Sequence, residues 1–288
     1  MAAWRSPARE RCHDRRVALA AAADTSWTLA PGPLALIVLL TAAYVRRWRA
    51  VRAQPGARTA GAGRLVAFLA AMAVIVLALI SPLDRLGEQL FAMHMVQHVL
   101  ILDLVPIMLM LAVTRTLLRP MTRRVQVLER RAGVLAHPAF AVVLYVATMG
   151  FWHIPALYDL ALESSVVHVV EHITLINAGL FYWWHLLSPV RGRISIGPFG
   201  PVVYMLVTKL LVSFVGIAIT FAPDALYAFY VNGPRVWGLT AGDDQAVAGA
   251  IMAVEQSVVM GIALAYLFVK ALAESEDEDE RAERYGPA

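Results

Sequence analysis

The sequence has a single cysteine, Cys12, and too few charged residues for a protein that folds in water. Asp, Glu, Lys and Arg make up 16% of its 288 residues, against 59% hydrophobic residues. One cysteine cannot form an intramolecular disulfide, so no disulfide framework holds the fold. The apolar residues come in long runs rather than in the one-sided stripes of a helix that faces water, and this excess of apolar surface excludes a soluble globular protein.

A continuous basic face is also missing, although the formal net charge is +4. The arginines lie between the apolar runs instead of along one side of a helix. We therefore expect the lipid bilayer, and no nucleic acid, as a partner of the chain. The last apolar run has no central lysine for a retinal Schiff base, because Lys270 lies at its end, which argues against a rhodopsin-like pigment.

The apolar runs predict an all-α membrane protein with a bundle of about seven transmembrane helices. A helix needs roughly 20 apolar residues to cross a hydrocarbon core of about 30 Å. The runs are approximately Pro33 to Val45, Leu65 to Ser81, Leu90 to Ala112, Pro138 to His153, Val166 to Leu187, Val202 to Ala222 and Ala246 to Leu272. The first reaches spanning length only if residues 27–32 join it.

The charges between the runs predict the orientation. The basic loops contain Arg46, Arg47, Arg49, Arg52, Arg58 and Arg64, then Arg115, Arg119, Arg123, Arg124, Arg130 and Arg131, and then Arg191 and Arg193. The alternate loops contain Asp84, Glu88, Asp159, Glu163, Asp224, Asp243 and Asp244. Because basic loops stay in the cytoplasm, we expect a multi-pass protein of the bacterial plasma membrane with its N-terminus outside and its C-terminus inside.

Two tails flank the expected membrane domain, which spans residues 27–272. Residues 1–26 are Arg-rich, against the predicted orientation. They could be a poor signal peptide with an Ala-rich cleavage region or a short, disordered translocated tail, but we favour a stretch upstream of the start codon used in the cell. Residues 273–288 contain an acidic run with almost no apolar content, which is typical of a disordered tail.

Two histidine pairs are the main functional signal. His94 and His98 lie at the start of the third run, and His168 and His172 at the start of the fifth. A spacing of four residues puts both imidazoles of a pair on one helical face, where they can bind one metal. In the predicted topology both helices begin at the outer surface, so the four imidazoles share a depth of about one to two turns.

Further polar residues are expected at the same outer end. His153 ends the fourth run and is a fifth candidate ligand, and Asp244 and Gln245 open the seventh. Gln97 and Glu171 stand inside the histidine pairs but point away from the ligand face. We expect these two residues, together with Asp244 and Gln245, to orient the ligands or to gate the site.

The ligand types favour copper, with zinc and iron as alternatives. Imidazole binds all three metals, so histidine alone does not choose among them. Met93 and Met95 flank His94, and Met252 lies in the seventh run, so thioethers that suit Cu(I) are expected near the imidazoles. Methionine is also ordinary filler of helix bundles, and Met95 is therefore placed with the gating residues.

Three ionisable residues are expected deeper in the membrane, where each must be paired or functional. They are Asp103, Lys209 and Glu255. They predict either a buried ion pair or a path for protons or ions.

The order of these motifs resembles the CtaG-type cytochrome c oxidase assembly factors. The resemblance rests on His94-Met95-Val96-Gln97-His98 before Pro106, His153-Ile154-Pro155, His168 with Glu171-His172, and Asp244-Gln245, and it covers roughly residues 30–270. It implies a multi-spanning protein that helps to supply copper to a caa3-type oxidase, with terminal oxidase subunits or a copper chaperone as partners. It carries over to His94, His98, His153, His168, His172, Asp244 and Gln245.

The sequence therefore predicts a membrane-embedded, copper-binding assembly factor of a terminal oxidase, and it assigns no catalytic residue. Three other functions stay open. Histidines on two helices could hold haem in an electron carrier. Asp244 or Glu171 could act as a general base in a metal-dependent enzyme. The deeper charges could serve a metal or ion transporter.

Overall fold

A computed structural model describes residues 22–54, 60–190 and 199–286 of the chain. Cys12, Arg58, Arg191 and Arg193 lie outside the described residues, as do residues 1–21 of the N-terminal tail and residues 287–288. The described part contains no β-strand, which confirms the all-α prediction. Its helices, in chain order, are α1 (Pro31–Arg52), α2 (Ala62–Leu79), α3 (Pro82–Gly87), α4 (Phe91–Val99), α5 (Val105–Ala112), α6 (Arg115–Ala132), α7 (Pro138–Trp152), α8 (Pro155–Glu163), α9 (Ser165–Leu187), α10 (Gly200–Thr220), α11 (Ala228–Asn232) and α12 (Ala241–Tyr285).

Local sequence explains where several of these helices begin. Pro82, Pro138, Pro155 and Pro201 stand in the first turn of α3, α7, α8 and α10, where a missing backbone N–H costs nothing. Ser81 adds a side-chain cap to α3, since its hydroxyl oxygen accepts from Leu83 N at 3.2 Å.

Within the described ranges, three helical units are long and apolar enough to cross a membrane: α2, the continuous unit Phe91–Ala112, and α10. Two bent pairs qualify if each is one span: residues 115–136 with α7, bent by 69°, and α8 with α9, bent by 119°. The structure thus supports three to five membrane-spanning helices. The count of seven and the orientation of the termini stay predictions.

The two tails differ in part from their predicted disorder. The acidic run is helical as far as Tyr285, because Glu, Ala and Arg are good helix formers and Glu280 pairs with Arg284 at 3.3 Å one turn later. Near the other end, residues 22–30 form neither helix nor strand, and the backbone of Asp24 is held by two hydrogen bonds with the Gln89 side chain, at 2.9 and 3.0 Å.

A π-helical segment, Leu100–Leu104, joins α4 to α5. Pro106 follows it, has no N–H, and in a regular α-helix its ring would collide with the carbonyl of Leu102. The wider π turn, in which Val105 N donates to Leu100 O, absorbs this conflict. The displaced Leu102 carbonyl faces α9 at Gly179, where an added Cβ would collide with it.

Gly179 should therefore be intolerant of a methyl group. We expect Gly179→Ala to lower the free energy of unfolding by about 1–3 kcal/mol, the usual cost of overpacking a core. Thermal unfolding of the purified protein in detergent measures this as a lower Tm. Gly150→Ala is the matched control, because a Cβ at Gly150 meets nothing within 4 Å. Equal Tm values for the two variants would contradict the close approach of α9 to the π segment.

Candidate metal centre

The two histidine pairs meet at one end of the helical bundle. His94 and His98 are the fourth and eighth residues of α4, and His168 and His172 are the fourth and eighth residues of α9. Helix α9 packs against the π segment and α5, which continue the helical unit of α4, so the matching register brings the imidazoles of α4 and α9 to one level. The ring centroids of His94 and His168 lie 5.3 Å apart, and those of His98 and His172 lie 5.9 Å apart. The predicted convergence of the pairs is present in the structure.

Four of the side chains at this level can share one ion. His94, His98, Glu171 and His172 each offer a ligand atom, and these atoms all lie within 4.8 Å of one another. We call these four residues the ligand cluster. The Nε2 atoms of His94 and His98 are 2.7 Å apart. All four residues are buried, with His94 and Glu171 at 0% exposure.

The position of Glu171 corrects the expectation that it points away from the ligands. Its carboxylate oxygens lie 3.7 Å from His94 Nε2 and 3.4 Å from His98 Nε2. The side chain of Glu171 thus reaches across from α9 to the α4 imidazoles. The burial of a carboxylate inside a membrane helix was the signal for this role, because such a group needs a partner of positive charge.

The donor set fits a metal ion. Both oxygens of Glu171 and the Nε2 atoms of His168 and His172 are buried and have no hydrogen-bond partner among the described residues. Buried polar atoms are normally satisfied, so these four atoms require an explanation. Imidazole nitrogens with one carboxylate are common ligands of copper, zinc and iron, and an ion among them would satisfy these atoms.

His168 and His153 border the ligand cluster without joining it. His168 is half-buried, and its ring centroid lies 4.2 Å from that of His172, which puts it at the rim. His153 begins the connection after α7, and its ring centroid lies 6.3 Å from that of His98. Its Nε2 is 3.4 Å from the Sδ atom of Met95, so the structure pairs His153 with this thioether.

Asp244 holds the helix that carries His94 and His98. Its two carboxylate oxygens accept from Phe91 N at 2.7 Å and from Ala92 N at 3.0 Å, the first amides of α4. These amides have no partner within the helix, and the positive end of the helix dipole favours the carboxylate. A side chain from the first turn of α12 thus caps α4 and holds its start in place.

Gln97 and Gln245 also position backbone rather than the proposed ion. Gln97 Nε2 donates to Ala78 O at 2.8 Å and to Asp84 Oδ1 at 3.0 Å, which fastens α4 to the end of α2 and to α3. Gln245 Oε1 accepts from Leu226 N at 2.7 Å, and its Nε2 donates to Ile219 O at 3.3 Å.

An aromatic layer covers the ligand cluster, which sequence reasoning did not predict. Phe91, Tyr158, Tyr227 and Tyr230 pack together, and the Tyr158 ring lies 5.1 Å from that of His94. Tyr227 and Tyr230 come from the connection between α10 and α12, which we call the roof segment (221–240). No periodic pattern in the sequence assigned the roof segment to the site.

The roof segment is tied down by four hydrogen bonds from its middle. Tyr230 Oη donates to Gly87 O at 2.6 Å, and Tyr227 Oη donates to His153 O at 3.2 Å. Asp159 accepts from the amides of Ala228 and Phe229, both at 3.1 Å, and so caps α11. These contacts explain how a cluster so close to the end of its helices is fully buried.

The structure gives separate hydrogen-bond partners to Asp103 and Lys209, two of the three ionisable residues for which the sequence predicts an ion pair or a path for protons or ions. Asp103 lies in the π segment and accepts from Tyr145 Oη at 2.7 Å and from Trp183 Nε1 at 2.8 Å. Lys209 Nζ donates to the carbonyl of Ser257 at 3.5 Å. Aromatic donors satisfy Asp103, and these were not predicted. Glu255 is buried beside Asp103, at the wall of one small cavity.

Comparison with known proteins gives a family. Residues 42–274 match the family described as cytochrome c oxidase caa3 assembly factor. An uncharacterized protein of Mycobacterium leprae is 24% identical over 75% of this chain and 35% of its own length. Uncharacterized proteins of Mycobacterium bovis and Mycobacterium tuberculosis are each 24% identical over 66% of this chain and 31% of their own length. The match therefore covers about a third of the length of each of these relatives. No solved structure matches it.

The cap from Asp244 gives a prediction. We expect Asp244→Ala to lower the free energy of unfolding by about 1–2 kcal/mol, because two buried amides lose their acceptor. Affinity for Zn²⁺, used as a probe, should fall as well, since α4 is no longer held in place. Thermal unfolding and isothermal titration calorimetry measure the two effects.

Asp243→Ala is the matched control for Asp244. Asp243 is exposed and its carboxylate bonds only within its own turn, accepting from Thr240 Oγ1 at 2.6 Å. If the two alanine variants lose stability and affinity equally, the cap does not position α4.

Proposed function

Since the chain belongs to the family of cytochrome c oxidase caa3 assembly factors, we propose that its ligand cluster binds copper and serves the maturation of a terminal oxidase. The observation that carries this proposal is the set of four buried ligand atoms within 4.8 Å of one another, on two helices. His94, His98 and His172 would hold the ion, and Glu171 would offset part of its charge.

Two arguments favour copper over zinc and iron. Sites of nitrogen and oxygen ligands bind Cu²⁺ more tightly than other divalent metals of the first row. Delivery of copper is also the role that the family resemblance implies. The expected partners are therefore subunits of the oxidase or a chaperone that supplies the ion.

The proposed route to the cluster runs past His168. This residue is half-buried, whereas the four cluster residues are buried, and its ring lies between His94 and His172 at 5.3 and 4.2 Å. A ligand at the rim can hold an arriving ion while the buried side chains replace the ligands that the ion brought with it. In this scheme the protein stores and passes on the metal, and no turnover is required.

Metal binding by the cluster can be tested directly. We expect the purified wild-type protein to bind one Cu²⁺ or Zn²⁺ in the cluster, and the double variant His94→Ala/His98→Ala to lose it. Glu171→Gln keeps the shape but removes the charge, and affinity should fall by at least about tenfold. Elemental analysis after dialysis and competition with a chelator measure stoichiometry and affinity.

His185→Ala is the control, because His185 lies near the opposite end of α9. Equal metal content in the double variant and the control would show that the ligand cluster is not the metal site. A Soret band in the purified protein would instead favour the haem-binding alternative.

We further propose seven membrane spans with the ligand cluster at the extracytoplasmic side. The chain suits a cysteine-labelling test, because Cys12→Ser alone removes its only cysteine. In this background a membrane-impermeant maleimide added to intact cells should label Glu163→Cys and should not label Arg123→Cys or Glu283→Cys. Permeabilised cells should label all three. Labelling of Arg123→Cys in intact cells would contradict the orientation.

A further inference from the structure

A second pair of metal-binding atoms lies next to the ligand cluster, on its α7 side. His153 Nε2 faces the Sδ atom of Met95 at 3.4 Å. Both residues are buried, with Met95 at 0% and His153 at 7% exposure. Neither belongs to the ligand cluster, although Met95 lies between His94 and His98 in the sequence.

The hydrogen bond on the other side of the His153 ring determines what Nε2 offers. Nδ1 lies 2.7 Å from the carbonyl oxygen of Met149, which can only accept a hydrogen bond, so Nδ1 carries the proton. In the neutral imidazole, Nε2 then presents a lone pair. The thioether of Met95 has no proton to donate, so two electron-pair donors face each other.

A metal ion resolves this arrangement. Bonds of about 2.0 Å to an imidazole nitrogen and about 2.3 Å to sulfur can reach one ion from donors 3.4 Å apart. A protein usually orients a metal-binding histidine through a hydrogen bond from its other ring nitrogen, and here Nδ1 donates such a bond to a backbone carbonyl. A thioether with an imidazole is a soft donor set, which selects Cu(I) over divalent ions.

Further soft donors line the adjacent space. A cavity of about 10 Å³ lies beside Met95 and is also bordered by His98, Met149 and Met252. Asp103 and Glu255 border it as well, and the carboxylate of Asp103 already accepts from Tyr145 and Trp183. This volume is close to the minimum that holds one water molecule. Three methionines from α4, α7 and α12 thus border it, together with one imidazole of the ligand cluster.

We propose that His153 and Met95 form the centre of a second metal site, selective for a soft monovalent cation such as Cu(I). The choice of copper as the bound metal rests on the proposed function, and the second site extends that function. The carboxylate and imidazoles of the ligand cluster suit a divalent ion, and His98 borders both sites. The protein would then offer copper two adjacent environments, one for each common oxidation state.

Silver provides the test, because Ag⁺ is a soft monovalent probe that does not change its oxidation state under these conditions. The wild-type protein is first loaded with Zn²⁺ in the ligand cluster and then titrated with Ag⁺. All proteins in this test carry Cys12→Ser, because the thiol of Cys12 would itself bind Ag⁺. In this background we expect one Ag⁺ per chain in the otherwise wild-type, zinc-loaded protein and none in zinc-loaded Met95→Leu. Met110→Leu is the matched control, since Met110 is a buried core methionine that does not line the cavity, and it should keep its Ag⁺.

Retained Zn²⁺ uptake by Met95→Leu shows that this variant is folded. X-ray absorption of silver in the wild type should show both a sulfur and a nitrogen neighbour. Equal Ag⁺ uptake in Met95→Leu and wild type, or silver without a sulfur neighbour, overturns the second site. Failure of the ligand cluster gives a different result, namely no Zn²⁺ uptake by the wild type. The difference in Ag⁺ uptake between metal-free wild type and Met95→Leu then decides the second site alone.

Discussion

A carboxylate enclosed by imidazoles in an apolar bundle is the constraint on which the rest of this structure depends. Glu171 is fully buried and has no hydrogen-bond donor among the described residues. A buried charge costs several kcal/mol unless it is paired or bound to a metal. A bound cation, a protonated imidazole or protonation of the carboxylate itself can supply the compensation, so a metal ion in the ligand cluster would stabilise this region.

The helices around Glu171 are held by polar contacts between elements that are distant in sequence. Asp244 of α12 fixes the start of α4, Gln97 fastens α4 to α2 and α3, and Asp159 of α8 caps α11. Each contact satisfies backbone groups that a membrane interior leaves without water. At the far end of α4, the π segment and Gly179 let α9 approach closely enough for the two histidine pairs to meet.

The sequence predicted an all-α fold and the meeting of the two histidine pairs, because these follow from apolar run length and from a four-residue spacing. The family was also predicted, and the match over residues 42–274 confirms it. The direction of Glu171 was wrong, since a helical face alone does not say how closely the next helix approaches. Partners such as Tyr145 for Asp103, and the aromatic layer, come from tertiary packing that no single segment encodes. The number of spans stays a prediction, as only three to five helices meet the length and composition required.

The hydrogen bond from Tyr230 to Gly87 gives the buried cluster a kinetic consequence. For an ion in the proposed ligand cluster, coordination strength would set how much is held at equilibrium. Detachment of the roof segment from α3 would open a second way out besides the proposed route past His168, and would so raise the rate of exchange. A partner protein that competes for the Gly87 carbonyl or displaces the Tyr230 ring could hasten release without weakening a single coordinate bond. Retention between encounters and prompt discharge at an encounter are then compatible in one molecule.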